Sequence, residues 1–152
     1  MLEINSTKII NINSKSFSEI KKLNLKKLGL NKSQDRNIFE YNSEVFKILK
    51  YNFKSKIYFK ICFKENNIYI DLNNITGIPK FIKKNINLNI KVDIYQEHEI
   101  CRANRFISLK LKKDSFFLKF LSDEIANKFL LNALETISER FDKKFLIKIS
   151  NL

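Results

Sequence analysis

The chain has 152 residues, of which 44% are hydrophobic and 12% aromatic, and a formal net charge of +13. That apolar content excludes a disordered chain whatever its charge, and the length suits one domain, expected over residues 1–152, burying roughly 70% of its unfolded surface. With Gly at 2 and Pro at 1, there is neither a low-complexity linker nor a glycine-rich phosphate loop.

Leu2 to Asn13 sets Ile4, Ile9, Ile10 and Ile12 among Asn, Ser and Thr, and reads as an opening β-strand. Ser14 or Ser16 then caps a short helix with Phe17, Ile20 and Leu23 at helical spacing. Asn24 interrupts it, and Leu25, Leu28 and Leu30 make a second short turn ending near Gly29. Lys21, Lys22, Lys26 and Lys27 form the densest basic patch, read as the exposed side of these two helices.

From Asn37 the period changes to two. Strands are predicted over Ile38–Tyr41, Val45–Phe53 and Lys56–Phe63, the last with Ile57, Phe59, Ile61 and Phe63 on one face. Glu65-Asn66-Asn67 is a hairpin turn, after which Ile68, Ile70 and Leu72 point inward. Asn73 to Asn87, with Gly77 and Pro79, reads as a loop or single helical turn crossing a sheet edge. Leu88 to Tyr95 alternates cleanly, with Leu88, Ile90, Val92 and Ile94 on one side. In the last strand, Ile100 to Lys112, Ile100 and Phe106 share one parity and Ile107, Leu109 and Leu111 the other. That slip predicts a β-bulge near Arg105 and Phe106. The linker Lys113–Leu121 is apolar enough to pack.

Ser122 to Leu146 is the strongest helix. Ile125, Ala126, Phe129, Leu130, Ala133, Leu134, Ile137, Phe141 and Phe145 form one wide stripe. Ser122 or Asp123 suits the N-cap, and Asp123 and Glu124 suit the positive end of the helix dipole. Burying that stripe contributes on the order of 10 kcal/mol or more, so the helix needs a sheet to lie on. The expected fold is α+β: a curved antiparallel sheet of about six to seven strands wrapped on a long C-terminal helix, with two short helices after strand 1.

The basic charge is almost all lysine, since Arg appears only at 36, 102, 105 and 140 among 29 basic residues. Lys, Asn, Ile and Phe share A/T-rich codons, so composition accounts for much of this bias. Bidentate arginine forks, which suit nucleic-acid readout, are scarce. Cys62 and Cys101 lack a CxxC spacing and read as free thiols in a reduced compartment. No apolar run approaches the ~20 residues of a membrane span, and no secretory signal opens the chain. A cytoplasmic protein is expected.

The element order resembles the helix-grip domains of the START-like superfamily, also called the SRPBCC, polyketide-cyclase or Bet v type. The stretch Thr76-Gly77-Ile78-Pro79-Lys80-Phe81 through Leu88, Ile90 and Ile94-Tyr95 resembles one cyanobacterial and plastid branch of unknown function. The sequence departs from that branch at Lys112-Lys113-Asp114-Ser115, where prolines are expected. The resemblance carries no catalytic signature and implies an apolar cavity between sheet and helix. The lining residues expected there are Ile57, Phe59, Ile61, Ile90, Val92 and Ile94 from the sheet and Phe129, Ala133 and Ile137 from the helix, with Arg105 as a polar anchor.

Enzyme parts are sparse. The single histidine, His98, falls in the polar stretch Gln96-Glu97-His98-Glu99, read as an exposed turn without an orienting partner or nucleophile. No His/Cys spacing suits zinc. Asp71 and Asp93 fall opposite the apolar strand faces, as charges balancing lysines. Arg102 and Arg105 stand out because arginine is rare. At a bulge Arg105 would be aimed at a ligand carboxylate or phosphate; otherwise it makes a cross-strand ion pair or lies exposed. Most Phe fall on the core parity, leaving Tyr58, Tyr69 and Tyr95 as surface aromatics. The reading is a non-catalytic domain with neither metal nor cofactor, binding a lipid- or isoprenoid-like molecule. The alternative is a basic accessory protein associating with RNA or an anionic membrane through its Lys-rich faces; it requires Tyr58, Tyr69 and Tyr95 to share a face with Lys56, Lys60 and Lys91.

Overall fold

The computed structural model describes residues 2–13, 17–18, 20, 28–33, 37–43, 47–48, 51–52, 55–112, 119–120 and 122–151. Strand β1 is Glu3–Ile12, β2 Leu30–Lys32, β3 Ile38–Ser43, β4 Lys47–Ile48, β5 Tyr51–Asn52, β6 Ser55–Lys64 and β7 Asn67–Thr76. Helix α1 is Lys80–Asn85, followed by β8, Ile86–Glu97, and β9, Ile100–Leu111. Helix α2, Asp123–Phe141, runs through a π turn, Asp142–Leu146, into α3, Ile147–Ser150.

Seven strands form one antiparallel sheet in the order β1-β9-β8-β7-β6-β3-β2. Two-residue turns at Glu65-Asn66 and His98-Glu99 make neighbours antiparallel. His98 holds φ 56° in the second, a left-handed conformation that histidine tolerates better than most residues. The expected strand over Val45–Phe53 is not continuous. Among the described residues it is two short pieces, β4 and β5, paired with each other outside the main sheet. The two helices expected after β1 fall largely outside the described residues, as do Lys21, Lys22, Lys26, Lys27 and residues 113–118 of the linker. Of their apolar positions Phe17, Ile20 and Leu28 are buried.

One face of the sheet meets α2. Ile57, Phe59, Ile61, Ile68, Ile70, Ile90, Val92, Ile94, Ala103 and Ile107 are fully buried there, against Leu130, Ile137 and Phe141. Ser122 caps α2, its side chain accepting a hydrogen bond from the Ile125 backbone N–H at 3.3 Å. The apolar stripe is buried as expected except at Ile125 and, in part, at Phe129. Ile125 is 55% exposed, being in the first turn beyond the sheet's cover. Phe63, at the far end of β6, is likewise open to solvent.

The buried face continues at Leu130, Leu134, Ser138, Asp142 and Leu146, in steps of four. Each such step overshoots a 3.6-residue turn by about 40°. The π turn at Asp142–Leu146 is wider than an α turn and absorbs that drift, keeping Phe145, Leu146 and Ile149 on the sheet side. The long helix is therefore not one regular α-helix to Leu146, as the periodicity implied.

The bulge predicted at Arg105 and Phe106 is absent. Strand β9 pairs without a register shift with β8 from Ile100 to Leu111, and with β1 from Cys101 to Lys110. Cys101, Ala103, Arg105, Ile107, Leu109 and Leu111 all face inward, and Ile100 and Phe106 belong to the other face. The apparent slip came from reading those two apolar residues as core. The bulge lies in β7 instead, where Phe59 pairs with Leu72 and Tyr58 with Asn74, leaving Asn73 as the extra residue.

Candidate functional site

That bulge opens the sheet. Strands β7 and β8 pair only from Asn67 to Asp71 against Tyr95 to Lys91. Beyond this point Leu72–Thr76 stays with β6, and Ile86–Ile90 stays with β9. An extra residue bends the strand that carries it and increases its twist, which turns β7 away from β8. Gly77, Ile78 and Pro79 then carry the chain into α1, with Gly77 at φ 81°, a conformation glycine adopts without steric cost. The Asn74 side-chain oxygen accepts the Ile75 backbone N–H at 2.8 Å, so one donor on the parted strand has a local partner.

Between the parted strands lies a cavity of about 510 Å³, within the range typical of small-molecule sites. Ile75, Ile86, Leu109 and Ile137 form its buried part, with Leu72, Leu88, Ile78 and Ile82 half-buried around them. Its outer part is polar: Asn73, Asn74, Asn87, Lys83 and Lys112 are exposed and Asn89 half-exposed. Among the described residues no carboxylate lines it. The Lys112 ammonium donates to the Lys83 carbonyl at 3.0 Å, and the Lys112 backbone N–H donates to the Asn85 carbonyl at 2.9 Å. These bonds tie the end of β9 to α1.

Of the ten residues the sequence nominated, Ile137 lines this cavity. Ile57, Phe59 and Ile61 lie on β6, and Ile90, Val92 and Ile94 on β8, all fully buried. Ala133 is buried and Phe129 half-buried on α2. Near the C-terminal end of α2 the interior is filled by rings: Phe59 stacks on Phe145 at 5.7 Å, Phe141 lies 4.9 Å from Phe145, and Tyr41 meets Phe145 edge-on at 5.6 Å.

Arg105 is buried and faces inward, but a protein carboxylate occupies its fork. Nε and Nη2 donate to Oδ1 and Oδ2 of Asp142, each at 2.9 Å, and Nη1 donates to the Ser6 carbonyl and hydroxyl at 3.0 and 2.8 Å. Lys8 stands 3.8 Å from Asp142. Arg102, by contrast, is exposed. The sequence reading missed Asp142, although an arginine on the core parity of β9 demands a buried acid. It also passed over Asn73, Asn74, Asn87 and Asn89. Their signal was present in the change of apolar parity from Ile68, Ile70 and Leu72 to Ile75, which marks the extra residue.

The opposite face of the sheet carries Tyr58, Tyr69 and Tyr95 with Lys56, Lys60 and Lys91, as the cross-strand registers require. It also carries Glu40, Asp71 and Asp93. Lys56 pairs with Glu40 at 3.3 Å, and Lys91 and Lys60 both stand opposite Asp71. Desolvation, and then the neighbouring charge of Asp71, raise the Asp93 carboxyl above its ordinary range, partly offset by Lys91. His98 is exposed, and among the described residues no group of His, Cys, Asp and Glu is placed to hold a metal ion. No helix among them is long and apolar enough to cross a membrane.

No protein-family model matches the sequence, and no curated protein does. Solved structures match the fold. The di-domain ARO/CYC StfQ from the steffimycin biosynthetic pathway superposes with a TM-score of 0.56 at 9% identity, over 99% of this chain and 50% of that one. The di-domain ARO/CYC BexL from the BE-7585A pathway gives 0.54 at 11% identity, with the same coverage of each chain. A START superfamily protein from Mycobacterium smegmatis gives 0.43 at 9% identity, over 95% of this chain and 97% of that one. The chain spans about half the length of the two di-domain proteins. It shares the helix-grip fold of these ARO/CYC domains: an antiparallel sheet wrapped on a long C-terminal helix.

Proposed function

We propose that the chain is a single START-like domain that binds a hydrophobic molecule without transforming it, and that the ligand occupies the cavity where β7 and β8 part. One observation carries this reading: a cavity of about 510 Å³ with a buried floor of Ile75, Ile86, Leu109 and Ile137 and an open mouth. An apolar floor with a few polar groups at an open mouth is the usual make-up of a small-molecule site, so a cleft of this size favours an occupant. The two ARO/CYC proteins indicate that the fold also supports catalysis elsewhere. Here the polar groups of the cavity wall, among the described residues, are Asn and Lys, and no histidine or carboxylate stands beside those lysines as an oriented base. Ile57, Phe59, Ile61, Ile90, Val92, Ile94, Arg105, Phe129 and Ala133 lie in the packed interior beyond this lining, and a longer ligand would have to part them. An RNA or anionic-membrane role for the outer face is less favoured, because its lysines are interleaved with Glu40, Asp71 and Asp93.

Native mass spectrometry and thermal-shift measurements across a panel of lipids and isoprenoids test the reading. Adducts and a raised melting temperature are expected, both reduced by Ile137→Phe, which fills the floor. Bare protein and no shift across the panel would overturn it.

A further inference from the structure

The cavity is chemically lopsided. Every residue of its fully buried floor is aliphatic, and every polar lining residue is at or near the surface. Among the described residues the polar end is also of one sign, with two lysines, four asparagines and no acid. Lys112 spends one of its three donors on the Lys83 carbonyl, and this bond holds its ammonium beside α1 instead of leaving it to wander in solvent. Among the described residues no ion pair neutralises Lys83 or Lys112, whereas Lys56 and Lys128 are paired.

Resting on the function proposed above, we infer that the ligand is an amphiphile with a single anionic head, a carboxylate or a phosphate. Its head lies at the mouth against Lys83 and Lys112, and its apolar tail points at Ile137. A neutral hydrocarbon entering this space would cover the aliphatic floor but leave the two ammonium groups at the mouth without a counter-charge, whereas an anion there makes charge-assisted hydrogen bonds, roughly twice as strong as neutral ones. An anionic head accepts from both lysines and from the Asn side-chain amides, while the tail covers the aliphatic floor. At about 30 Å³ per heavy atom, the share a water takes in the liquid, the space suits on the order of fifteen heavy atoms. That is a medium chain with its head, not a diacyl lipid.

The test is calorimetric titration with three probes of equal chain length: decanoate, decyl phosphate and decanol. The two anions are expected to bind about tenfold or more tightly than decanol, as befits charge-assisted hydrogen bonds, and the tighter of the two identifies the head. In the double variant Lys83→Gln/Lys112→Gln that preference is expected to vanish. Both lysines are exposed, so folding is expected to be unaffected, and Lys83→Arg/Lys112→Arg should restore the preference. Equal binding of all three probes by the unaltered protein overturns the anionic head and leaves the hydrophobic-ligand reading standing. An anion preference that survives the double glutamine variant arises from the overall charge of +13, and also overturns it. Binding of no probe overturns both.

Discussion

Arg105 on β9 and Asp142 at the start of the π turn form a buried, bidentate pair that joins the last strand to the last helix. The two N–O distances are both 2.9 Å, and the remaining guanidinium nitrogen is bound to Ser6 of β1. Three elements distant in sequence thus meet at one planar cation. Arginine suits this place because its fork matches a carboxylate and its remaining donors can serve a third partner.

Removing one member of a buried pair costs about 3–5 kcal/mol, and Lys8, 3.8 Å from Asp142, offsets part of the loss of Arg105. Arg105→Ala is therefore expected to destabilise the protein by about 3 kcal/mol or more in urea unfolding. The double variant Arg105→Met/Asp142→Leu should recover most of that loss, because a hydrophobic replacement of both partners is often neutral. A double variant no more stable than Arg105→Ala would contradict this account.

The ring cluster of Phe59, Phe141 and Phe145 makes a second prediction. Phe141 is fully buried and contacts both other rings. Phe141→Ala is expected to cost about 3–5 kcal/mol through lost burial and the cavity left behind. Phe120→Ala, at a position 70% exposed, should change chemical-denaturation midpoints little.

Asp93 gives the stability a pH dependence. Burial and Asp71 raise its folded-state carboxyl above the unfolded value. A raised acid binds its proton more tightly when folded, so its contribution is fully present below the unfolded value near ~3.9 and is lost as pH rises through the folded one. Asp93→Asn is expected to raise the melting temperature at pH 7, and the gain should shrink as the pH falls toward 4. A gain that is constant with pH would contradict the assigned cause.

The two thiols should differ in reactivity. Cys101 is buried, and desolvation raises its thiol above the ordinary value, which suppresses the thiolate that reacts. Cys62 is half-exposed on the outer face. A thiol-reactive dye is expected to label Cys62 in the native protein and Cys101 only on unfolding, read by mass spectrometry of the variant Cys62→Ser.

The framework was legible because period-two strands, short turns and one long amphipathic stripe agreed with one another. Ile57, Phe59, Ile61, Ile90, Val92 and Ile94 are core residues as their parity required. The cavity was less legible, because it depends on one residue, Asn73, failing to pair. A bulge is visible in sequence only as a change of apolar parity, and β7 shows that change between Leu72 and Ile75. At Arg105 the same logic misled, since an inward arginine and the outward Ile100 and Phe106 counterfeited a slip. The partner of Arg105 could not be read locally: Asp142 is 37 residues away, and it reaches the strand on the buried face of a turn that is not α-helical.

An aperture made by two strands diverging has no side chain standing in it as a gate. Its span follows from the crossover Gly77–Asn85, whose Ile78 and Ile82 rest against the core. Lengthening or shortening that crossover would rescale the cargo this scaffold accepts, while the ring-filled interior and the arginine clasp stayed as they are.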